Sequence, residues 1–389
     1  MRIVHIYKDS YPPVTGGVEI SIYRLVEGCR DVCGDVSVLV AGRRLRTEQS
    51  EVEGIPVTRV GQWGRFLSTP LAPTFPLWLA RTPADILHYH LPHPTAVMSH
   101  LIARPAGKVV AHYHSDIVRQ ARLMPLFRPF LFRFLERSDR IIVTSPNYLE
   151  TSLVLRRFRD KCCIVPLGVP LNRYVLTPEM EDQAQVIRRR YGMRLVLFVG
   201  ILRYYKGVQY LLEAMRHVAG TLLIVGDGPL LGDLMRQAAG LPHRERIHFL
   251  GQVEDVVPYY YAADVFCLPS IYRSEAFGIV LTEAAAAGLP LVSTEIGTGT
   301  SFVNLHEVTG LVVPPADPQA LADALSGLLD NANLRLRYGE AARHRARKEF
   351  SQERMVQGVL AVYEEVLGQR FDLPTGKPVA EDYISADRV

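Results

Sequence analysis

The chain has 389 residues, of which 48% are hydrophobic and 22% are charged, and its mean hydropathy is +0.07. This composition excludes bulk disorder and a membrane-spanning protein, and the length predicts two or three domains. The five cysteines lack the even, spaced pattern of a disulfide framework, and the N-terminus lacks a secretory signal, so we expect a cytoplasmic protein.

Charge is distributed unevenly along the chain. Residues 1–170 carry 22 Lys and Arg against 14 Asp and Glu (net +8), whereas residues 171–389 carry 22 against 26 (net −4). A basic half predicts an anionic partner, and composition leaves open whether this is a nucleic acid, an acidic membrane surface or a phosphorylated ligand.

The first half contains short apolar or β-branched runs that alternate with helical or loop-like stretches. The predicted strands are 2–7, 36–41, 55–60, 84–90, 108–114, 139–144 and 161–167. Runs with little polar alternation are typical of parallel strands that are buried on both faces. We therefore predict a doubly wound α/β domain over residues 1–170.

The same pattern restarts after residues 171–193, a Pro-containing and polar stretch that we predict to be a linker. The predicted strands are 195–200, 221–226, 246–251, 263–268, 290–294 and 310–313, and the predicted helices are 207–219, 229–239, 254–262, 276–287, 317–330, 333–349 and 351–369. They predict a second doubly wound domain over 194–349, a C-terminal helix over 350–370 and a flexible tail over 371–389.

Candidate site residues lie in the loops that follow predicted strands, because open α/β sheets bind ligands there. Gly16 and Gly17 precede a predicted helix, where backbone N–H groups can approach a phosphate; a plain turn is the alternative. Arg203 and Lys206 precede a helix predicted to begin near Gly207. They suit a diphosphate, and the alternative is a solvated charge pair.

The segment SEAFGIVLTEAAAAGLP places Glu275 and Glu283 eight residues apart. A residue seven or eight positions further along a helix returns to nearly the same face, so both carboxylates can point along one wall of a cleft. Carboxylates accept hydrogen bonds from hydroxyls. A ligand with two sets of hydroxyls, a sugar and a ribose, therefore suits this pair.

Several motifs occur in the order and spacing of one enzyme family: GGVE, YHSDI, FVG…KG, IVGDGP, FLGQV…VVPYYYAADVFCLPS, Glu275 to Glu283, and GTGTSFVN…TGLVVPPADP. Residues 2–369 thus resemble bacterial retaining glycosyltransferases of family four. The resemblance implies a GT-B fold, in which two Rossmann-like domains face a central cleft and the C-terminal helix returns to the first domain. It also implies sugar transfer from a nucleotide diphosphate donor with retention of configuration, without a cofactor or metal.

The resemblance assigns roles to individual residues. His114 and Glu275 would be the catalytic residues. The implied donor-binding residues are Gly16, Gly17, Arg203, Lys206, Gly226, Val253, Phe277, Gly278, Ile279, Val280 and Glu283. Of these, Arg203 and Lys206 would hold the diphosphate and Glu283 the ribose. The family usually has an arginine at the position of Ile201, and we expect Arg203 to replace it from two residues further on.

The implied mechanism follows from charge. Breaking the anomeric bond builds negative charge on the departing diphosphate, which fixed cations stabilise without a metal. The leaving phosphate would itself take the proton of the acceptor in a front-face displacement. Glu275 would then position the sugar rather than attack it.

A zinc site is the alternative for the clustered histidines, which are His88, His90, His93, His112 and His114. Alternate strand residues share a face, so these side chains can meet. No HExxH motif or cysteine set accompanies them, so we favour no metal.

Residues 117–140 combine arginines with apolar side chains: Arg119, Arg122, Arg128, Arg133 and Arg137 with Leu126, Phe127, Phe130, Leu131 and Phe134. This pattern is typical of a segment that lies on an anionic membrane. An ordinary helix with its apolar face in the core is the equally weighted alternative. Peripheral contact with the cytoplasmic face of the inner membrane is the resulting expectation.

The leading hypothesis is a retaining hexosyltransferase of envelope glycan synthesis that acts on a lipid-linked saccharide. The resemblance favours GDP-mannose or GDP-rhamnose over UDP-sugars. We expect the base between the loops at Gly226 and Val253. A sugar-nucleotide epimerase of the same fold is the second hypothesis, and a non-catalytic nucleic-acid-binding protein is the third, although the chain has no known nucleic-acid-binding module.

Overall fold

A computed structural model describes residues 1–14, 16–67, 69–117 and 124–371. The chain divides into two compact units. Unit 1 contains Met1–Leu167 and the segment that begins at Gln352, and unit 2 is Gly168–Ser351. Each unit contains one large, mainly parallel sheet with helices, so the predicted α/β class is confirmed.

The sheet of unit 1 has eight strands in the order β10-β9-β8-β7-β1-β2-β4-β3, and β5 and β6 form a separate hairpin. The strands of unit 1 are β1 (Arg2–Tyr7), β2 (Asp35–Ala41), β3 (Glu48–Val52), β4 (Ile55–Val60), β5 (Arg65–Phe66), β6 (Thr69–Pro70), β7 (Ile86–Leu91), β8 (Lys108–Tyr113), β9 (Arg140–Val143) and β10 (Cys162–Ile164). All pairs in the large sheet are parallel except β3 with β4. The central strands are buried on both faces, which explains their continuous apolar runs.

The helices of unit 1 that precede unit 2 are α1 (Gly17–Cys33), α2 (Phe75–Arg81), α3 (Pro94–Ala103), α4 (Met124–Arg137) and α5 (Pro146–Thr151). Helix α1 begins after Gly16 and ends at Cys33, and Gly34, which has a positive φ of 77°, follows as its C-cap. In α4, Leu131, Phe134 and Leu135 are buried. This apolar face packs into the core of unit 1, as one of the two interpretations of this segment requires.

Unit 2 has six parallel strands in the order β13-β12-β11-β14-β15-β16. They are β11 (Leu195–Val199), β12 (Thr221–Val225), β13 (Ile247–Gly251), β14 (Val265–Leu268), β15 (Leu291–Thr294) and β16 (Gly310–Val313). The helices are α6 (Pro178–Tyr191), α7 (Val208–Ala214), α8 (Leu231–Ala239), α9 (Val257–Ala262), α10 (Ile279–Ala287), α11 (Gly299–Val303), α12 (Pro318–Asp330) and α13 (Ala332–Glu349).

The last helix, α14 (Gln352–Leu367), belongs to unit 1. It packs against α1 and β9, and the Arg140 guanidinium in β9 forms an ion pair with Glu365. The expected return of the C-terminal helix to the first domain is therefore observed. Most of the expected tail, from residue 372 onward, lies outside the described residues.

The stretch 171–193, which was predicted to be a linker, is largely helical. It contains α6, which packs against α9 within unit 2, and Arg188 forms an ion pair with Asp264 at 3.3 Å. The side-chain oxygen of Thr177 caps the helix by accepting a hydrogen bond from the Met180 N–H, and Pro178 follows at the first helical position. Ala184 is the buried residue of this polar helix, so hydrophobic periodicity gave no signal.

Strands β3, β5 and β6 were not predicted. Strand β3 is an antiparallel edge strand with the sequence EQSEV, and four of its five residues are exposed. Because its composition is polar, a search for apolar runs does not detect this strand. Within the described residues, no helix has both the length and the apolar character needed to cross a membrane.

Candidate active site

The chain order of the strands in unit 2 reverses between β11 and β14. From β11 the chain continues through β12 to β13 on one side of the sheet, and then from β14 to β16 on the other. The loops after β11 and β14 diverge from this point, which is where open α/β sheets bind ligands. The first loop carries Arg203 and Lys206, and the second carries Glu275.

Lys206 and Glu275 form a buried ion pair across this reversal point. Lys206 Nζ lies 2.5 Å from Glu275 Oε2, and each side chain is only 10% exposed. The Ser270 hydroxyl donates a hydrogen bond to the same carboxylate oxygen at 3.2 Å. Burial disfavours the ammonium ion, but the charge of Glu275, the charge of Tyr205 and the hydrogen bond to Glu275 together outweigh it, so the pKa of Lys206 lies above its ordinary value. The lysine is therefore charged at neutral pH.

Arg203 lies beside this pair but is exposed. Residues Tyr204–Lys206 form a single 3₁₀ turn, and α7 begins after Gly207, one residue later than predicted. A Cβ at Gly207 would lie 1.9 Å from the Pro269 carbonyl oxygen, so this loop and the end of β14 meet where only glycine fits. Ile201 is half-buried, and replacement of the missing family arginine by Arg203 stays a prediction.

Helix α10 begins directly beside the loop that carries Glu275. Gly278, with φ 79°, is the N-cap of this helix. The helix was predicted to begin at residue 276 but begins at Ile279, so residues 276–278 precede it. The first N–H groups of a helix lack partners within it, so Ile279 and Val280 present donors at this end. Phe277 is buried at 3% exposure, and only its backbone remains a candidate for ligand contact.

Glu283 lies in α10, as predicted, and is held by a tyrosine. The Tyr260 hydroxyl in α9 donates a hydrogen bond to Glu283 Oε2 at 3.1 Å. Tyr260 is fully buried, and burial raises the pKa of its hydroxyl well above the ordinary value, so it stays a donor. Tyr260 is a candidate site residue that sequence reasoning missed, although it lies in the motif VVPYYYAAD.

The loop after β12 approaches the loop after β11 closely. A Cβ at Gly226, which has φ 128°, would lie 2.1 Å from the Gly200 carbonyl oxygen. The Gly226 N–H donates a hydrogen bond to the Gly251 carbonyl at the end of β13. Val253 follows two residues later and is half-buried. Gly226 and Val253 thus lie on neighbouring loops at the carboxyl edge of the sheet.

The remaining predicted site residues, Gly16, Gly17 and His114, belong to unit 1. Gly16 precedes α1, and a Cβ there would lie 2.1 Å from Glu19 Oε2. Glu19 is buried in the first turn, so a carboxylate already places negative charge at this helix N-terminus. Phosphate contact by Gly16 and Gly17 stays a prediction.

Asp9 and Arg65 form an ion pair that sequence reasoning missed. Asp9 follows β1 and is 8% exposed, and both its oxygens accept hydrogen bonds from the Arg65 guanidinium, one at 2.9 Å. This bidentate pair raises the pKa of Arg65. An acidic residue two positions after the first strand was the available signal in the sequence, but its partner Arg65 is 56 positions further along the chain.

His114 directly follows β8 and is 3% exposed. Its Nε2 lies 2.9 Å from His90 Nδ1, and its ring stacks on His112 with centroids 4.2 Å apart. Burial, and secondarily the charge of Lys8, lowers the pKa of His114 to about 3. The side chain is therefore neutral at physiological pH.

The histidines do come together, but their geometry suits ring-to-ring contact. His90, His112 and His114 offer nitrogen atoms within 4.8 Å of one another, as do His5, His88 and His90. However, the rings of His90 and His114 are stacked at an interplanar angle of 19°, and both nitrogens of His90 already face other imidazoles. A metal needs lone pairs that converge on one point. The expectation of no metal stays a prediction.

Two family models together match most of the chain: Glycosyltransferase Family 4 over residues 15–173 and Glycosyl transferases group 1 over residues 179–345. The O-antigen chain mannosyltransferase C of Escherichia coli is 37% identical over 378 residues, which cover 94% of this chain and 99% of that protein. The chain belongs to the family-four glycosyltransferases. The D-rhamnosyltransferase WbpZ of Pseudomonas aeruginosa is 38% identical, with 90% and 92% of the two chains covered.

Solved structures of glycosyltransferases share the fold. The sucrose-phosphate synthase of Thermosynechococcus elongatus matches with a TM-score of 0.78 at 23% identity, covering 94% of this chain and 99% of that one. Anabaena HepE in complex with UDP and glucose matches with a TM-score of 0.76 at 19% identity, with the same coverage. These structures show the fold, whereas the family models and the two bacterial relatives show that the protein is a glycosyltransferase. The epimerase and nucleic-acid-binding hypotheses receive no support from these relatives.

Proposed function

We propose that this glycosyltransferase moves mannose or D-rhamnose from a GDP-sugar to a lipid-linked saccharide in envelope glycan synthesis, with retention of configuration. The Lys206–Glu275 pair carries the proposal, because it joins a cation and a hydroxyl acceptor at the strand reversal of unit 2. The two relatives named for mannose and D-rhamnose transfer support the sugar class.

Different residues of unit 2 bind different parts of the donor. Arg203 and Lys206 bind the diphosphate, and the N–H groups at the start of α10, from Phe277 to Val280, add hydrogen bonds. A carboxylate has two oxygens, so Glu275 binds Lys206 through one and sugar hydroxyls through the other. Glu283, oriented by Tyr260, accepts from the ribose hydroxyls. Gly226 and Val253 flank the base.

Unit 1 contributes the remaining predicted site residues. Gly16 and Gly17 leave room for the phosphates, and His114 contacts the transferred sugar. As the anomeric bond breaks, the negative charge that develops on the diphosphate is stabilised by Arg203 and Lys206. A phosphate oxygen of the leaving group accepts the proton of the acceptor hydroxyl on the same face, which gives retention.

Donor choice is tested by thermal unfolding and by transfer. GDP should raise the unfolding temperature more than UDP at equal concentration, because a ligand stabilises the native state according to its occupancy. GDP-mannose, GDP-D-rhamnose and UDP-glucose are then compared with a panel of polyprenyl-diphosphate-linked saccharides, and the anomeric configuration of the product is read by NMR. A larger shift with UDP overturns the donor assignment, and an inverted product overturns retention.

Metal independence is tested with the same transfer reaction. We expect full activity in chelator, because Arg203 and Lys206 offset the charge of the diphosphate. Loss of activity in chelator that is restored by added metal would contradict this account of leaving-group stabilisation.

The outer face of α4 supports contact of unit 1 with an anionic membrane. Leu126 is 76% exposed and Phe130 is 41% exposed, and Arg128 and Arg133 of the same helix are exposed as well. Exposed apolar side chains of such a helix insert into the lipid surface, and its basic side chains attract anionic headgroups. Arg119 and Arg122, which belong to the same predicted segment, lie outside the described residues.

Flotation with vesicles tests this contact. Wild type should float with vesicles that contain anionic lipid and not with neutral vesicles, and binding should fall as salt rises. The double variant Arg128→Glu/Arg133→Glu should lose binding. The matched control, Arg189→Glu/Arg190→Glu on the exposed face of α6, makes the same charge change in unit 2. Equal binding of the two double variants would refute a specific role for α4.

A further inference from the structure

A row of histidines crosses the sheet of unit 1 toward its carboxyl edge. His5 of β1 is aligned with His88 of β7, and His90 of β7 is aligned with His112 of β8. His114 lies two residues further along. Aligned residues of neighbouring parallel strands share a face, as do alternate residues of one strand. All five imidazoles therefore lie on one face of the sheet.

Three of these rings form a continuous diagonal chain. His5 Nδ1 lies 3.0 Å from His90 Nε2, and His90 Nδ1 lies 2.9 Å from His114 Nε2. Each step moves one strand sideways and two residues forward. His5 and His90 are fully buried, and His114 is 3% exposed. The two terminal nitrogens, His5 Nε2 and His114 Nδ1, have no hydrogen-bond partner among the described residues.

Each ring of the chain is neutral and carries a single N–H. Burial lowers the pKa of His5 and of His114 to about 3, and it lowers the pKa of His90 well below its ordinary value. A neutral imidazole has one donor and one acceptor nitrogen. Because His90 uses both of its nitrogens, the two contacts must run in the same direction. The tautomer of His5 therefore dictates the tautomer of His114.

The locations of His5 and His114, the two ends of the chain, determine in which direction its hydrogen bonds run. Either direction leaves one N–H without an acceptor, on His5 Nε2 or on His114 Nδ1. His5 lies in the middle of β1, whereas His114 lies just beyond β8 at the edge where α/β sheets bind ligands. Only at His114 can a ligand oxygen accept the hydrogen bond, and an orphaned buried N–H is rare in proteins.

We propose that His5 and His90 are positioning residues that hold His114 as the tautomer with its proton on Nδ1, so that this N–H donates to a hydroxyl oxygen of the transferred sugar. The inference rests on the proposed contact of His114 with the sugar. Its direction is His5 Nδ1–H to His90 Nε2, then His90 Nδ1–H to His114 Nε2, and finally His114 Nδ1–H to the ligand.

A matched pair of substitutions at His90 separates this role from packing. The side-chain amide of Asn resembles imidazole Nδ1 in position and can still donate to His114, whereas Leu cannot donate. We expect His90→Leu to lower kcat/KM about tenfold and His90→Asn to lower it less than about threefold. A purely packing role predicts the opposite order, because a buried position accepts Leu better than Asn.

The control is Tyr363→Phe. The Tyr363 hydroxyl lies 2.5 Å from His88 Nδ1, and His88 Nε2 lies 3.3 Å from His112 Nδ1, so this tyrosine belongs to a second, separate chain of rings. Removing its hydroxyl leaves the His5–His90–His114 chain intact. We expect kcat/KM and the His114 tautomer to stay unchanged.

The tautomer is read directly in the full-length protein labelled with ¹⁵N-histidine. Long-range ¹H–¹⁵N spectra distinguish Nδ1–H from Nε2–H, and the His114 signals are assigned by their loss in His114→Gln. Wild type and His90→Asn should show Nδ1–H at His114, and His90→Leu should show a mixture.

Two results would overturn the proposal at different points. An unchanged His114 tautomer in His90→Leu would show that the chain does not control it. A changed tautomer with unchanged kcat/KM would refute the sugar contact and, with it, the role of His114 in the proposed function. Inactivity of wild type with every donor would refute the proposed function, whereas the spectra would still report on the chain.

Discussion

The buried pair of Lys206 and Glu275 has consequences for stability as well as for transfer. Lys206→Met keeps the length of the side chain but removes its charge, and it leaves the Glu275 carboxylate with the Ser270 hydroxyl as its remaining partner in the described contacts. Both side chains are only 10% exposed, so water cannot replace the ammonium ion. Breaking a buried ion pair from one side costs about 3–5 kcal/mol of the free energy of unfolding.

A double-mutant cycle separates the interaction energy of Lys206 and Glu275 from the effect of each substitution on its other surroundings. We expect Lys206→Met and Glu275→Gln each to lower the free energy of unfolding by about 3–5 kcal/mol, measured by urea denaturation. The double variant leaves no unpaired charge in the site, so it should regain more than half of that loss. A double variant that is as unstable as the single variants would refute the account of a buried ion pair.

Activity should not follow stability in this series. All three variants should lose transfer by a factor on the order of 10²–10³, because each lacks a contact to the diphosphate or to the sugar. Rates are compared at a temperature where every variant is folded. More than half of the wild-type rate in either single variant would remove that residue from the site.

Three further predictions concern single residues. Gly226→Ala should lower the free energy of unfolding by about 1–3 kcal/mol, because φ is 128° and the new Cβ meets a carbonyl oxygen. The control Gly232→Ala, in open space within α8, should raise the free energy of unfolding by about 0.5–1 kcal/mol. Equal effects of the two substitutions in denaturation would contradict this prediction. Burial lowers the pKa of His93 to about 3, below its value of about 6.5 in the unfolded chain. Between these two values the imidazole is protonated in the unfolded state and neutral in the folded state, so stability is lost as pH falls from about 7 toward 3. His93→Phe should therefore reduce the slope of unfolding free energy between pH 6 and pH 4 by about 1.4 kcal/mol per pH unit, and an unchanged slope would show that His93 is not buried in its neutral form. Tyr260→Phe removes the hydrogen bond to Glu283 and should raise the donor KM about fivefold with little change in kcat, so a change in kcat alone would argue against a ribose contact.

Much of the sheet architecture could be predicted from the sequence. Parallel strands such as β1 and β7 are buried on both faces, so their apolar runs stand out in the sequence. Glycine and short polar stretches separate them from the helices. Strand β3 and helix α6 lie at the surface and have polar sequences, so the same signal was absent. Strand β3 is held by its antiparallel pairing with the adjacent strand β4, and α6 is held in part by the ion pair between Arg188 and Asp264.

The candidate site was predictable as a set of residues but not as an arrangement. The order of motifs in the sequence identified Lys206 and Glu275 separately, and only the strand order of unit 2 places the ends of β11 and β14 side by side. Their ion pair depends on that adjacency and on burial. Sequence reasoning considered Lys206 as a diphosphate ligand or as part of a solvated charge pair. It did not pair Lys206 with Glu275, because that partner is 69 residues away along the chain.

The histidines show the same division between sequence and tertiary structure. Alternation along β7 and β8 predicted that neighbouring histidines share a face, and a metal site was the chemistry considered. The register that aligns His5 with His88, and His90 with His112, was not predictable from either strand alone. Local sequence determines which residues each strand buries, whereas pairing between distant strands determines which of them touch. In this sheet that pairing makes the imidazoles stack and exchange hydrogen bonds with one another.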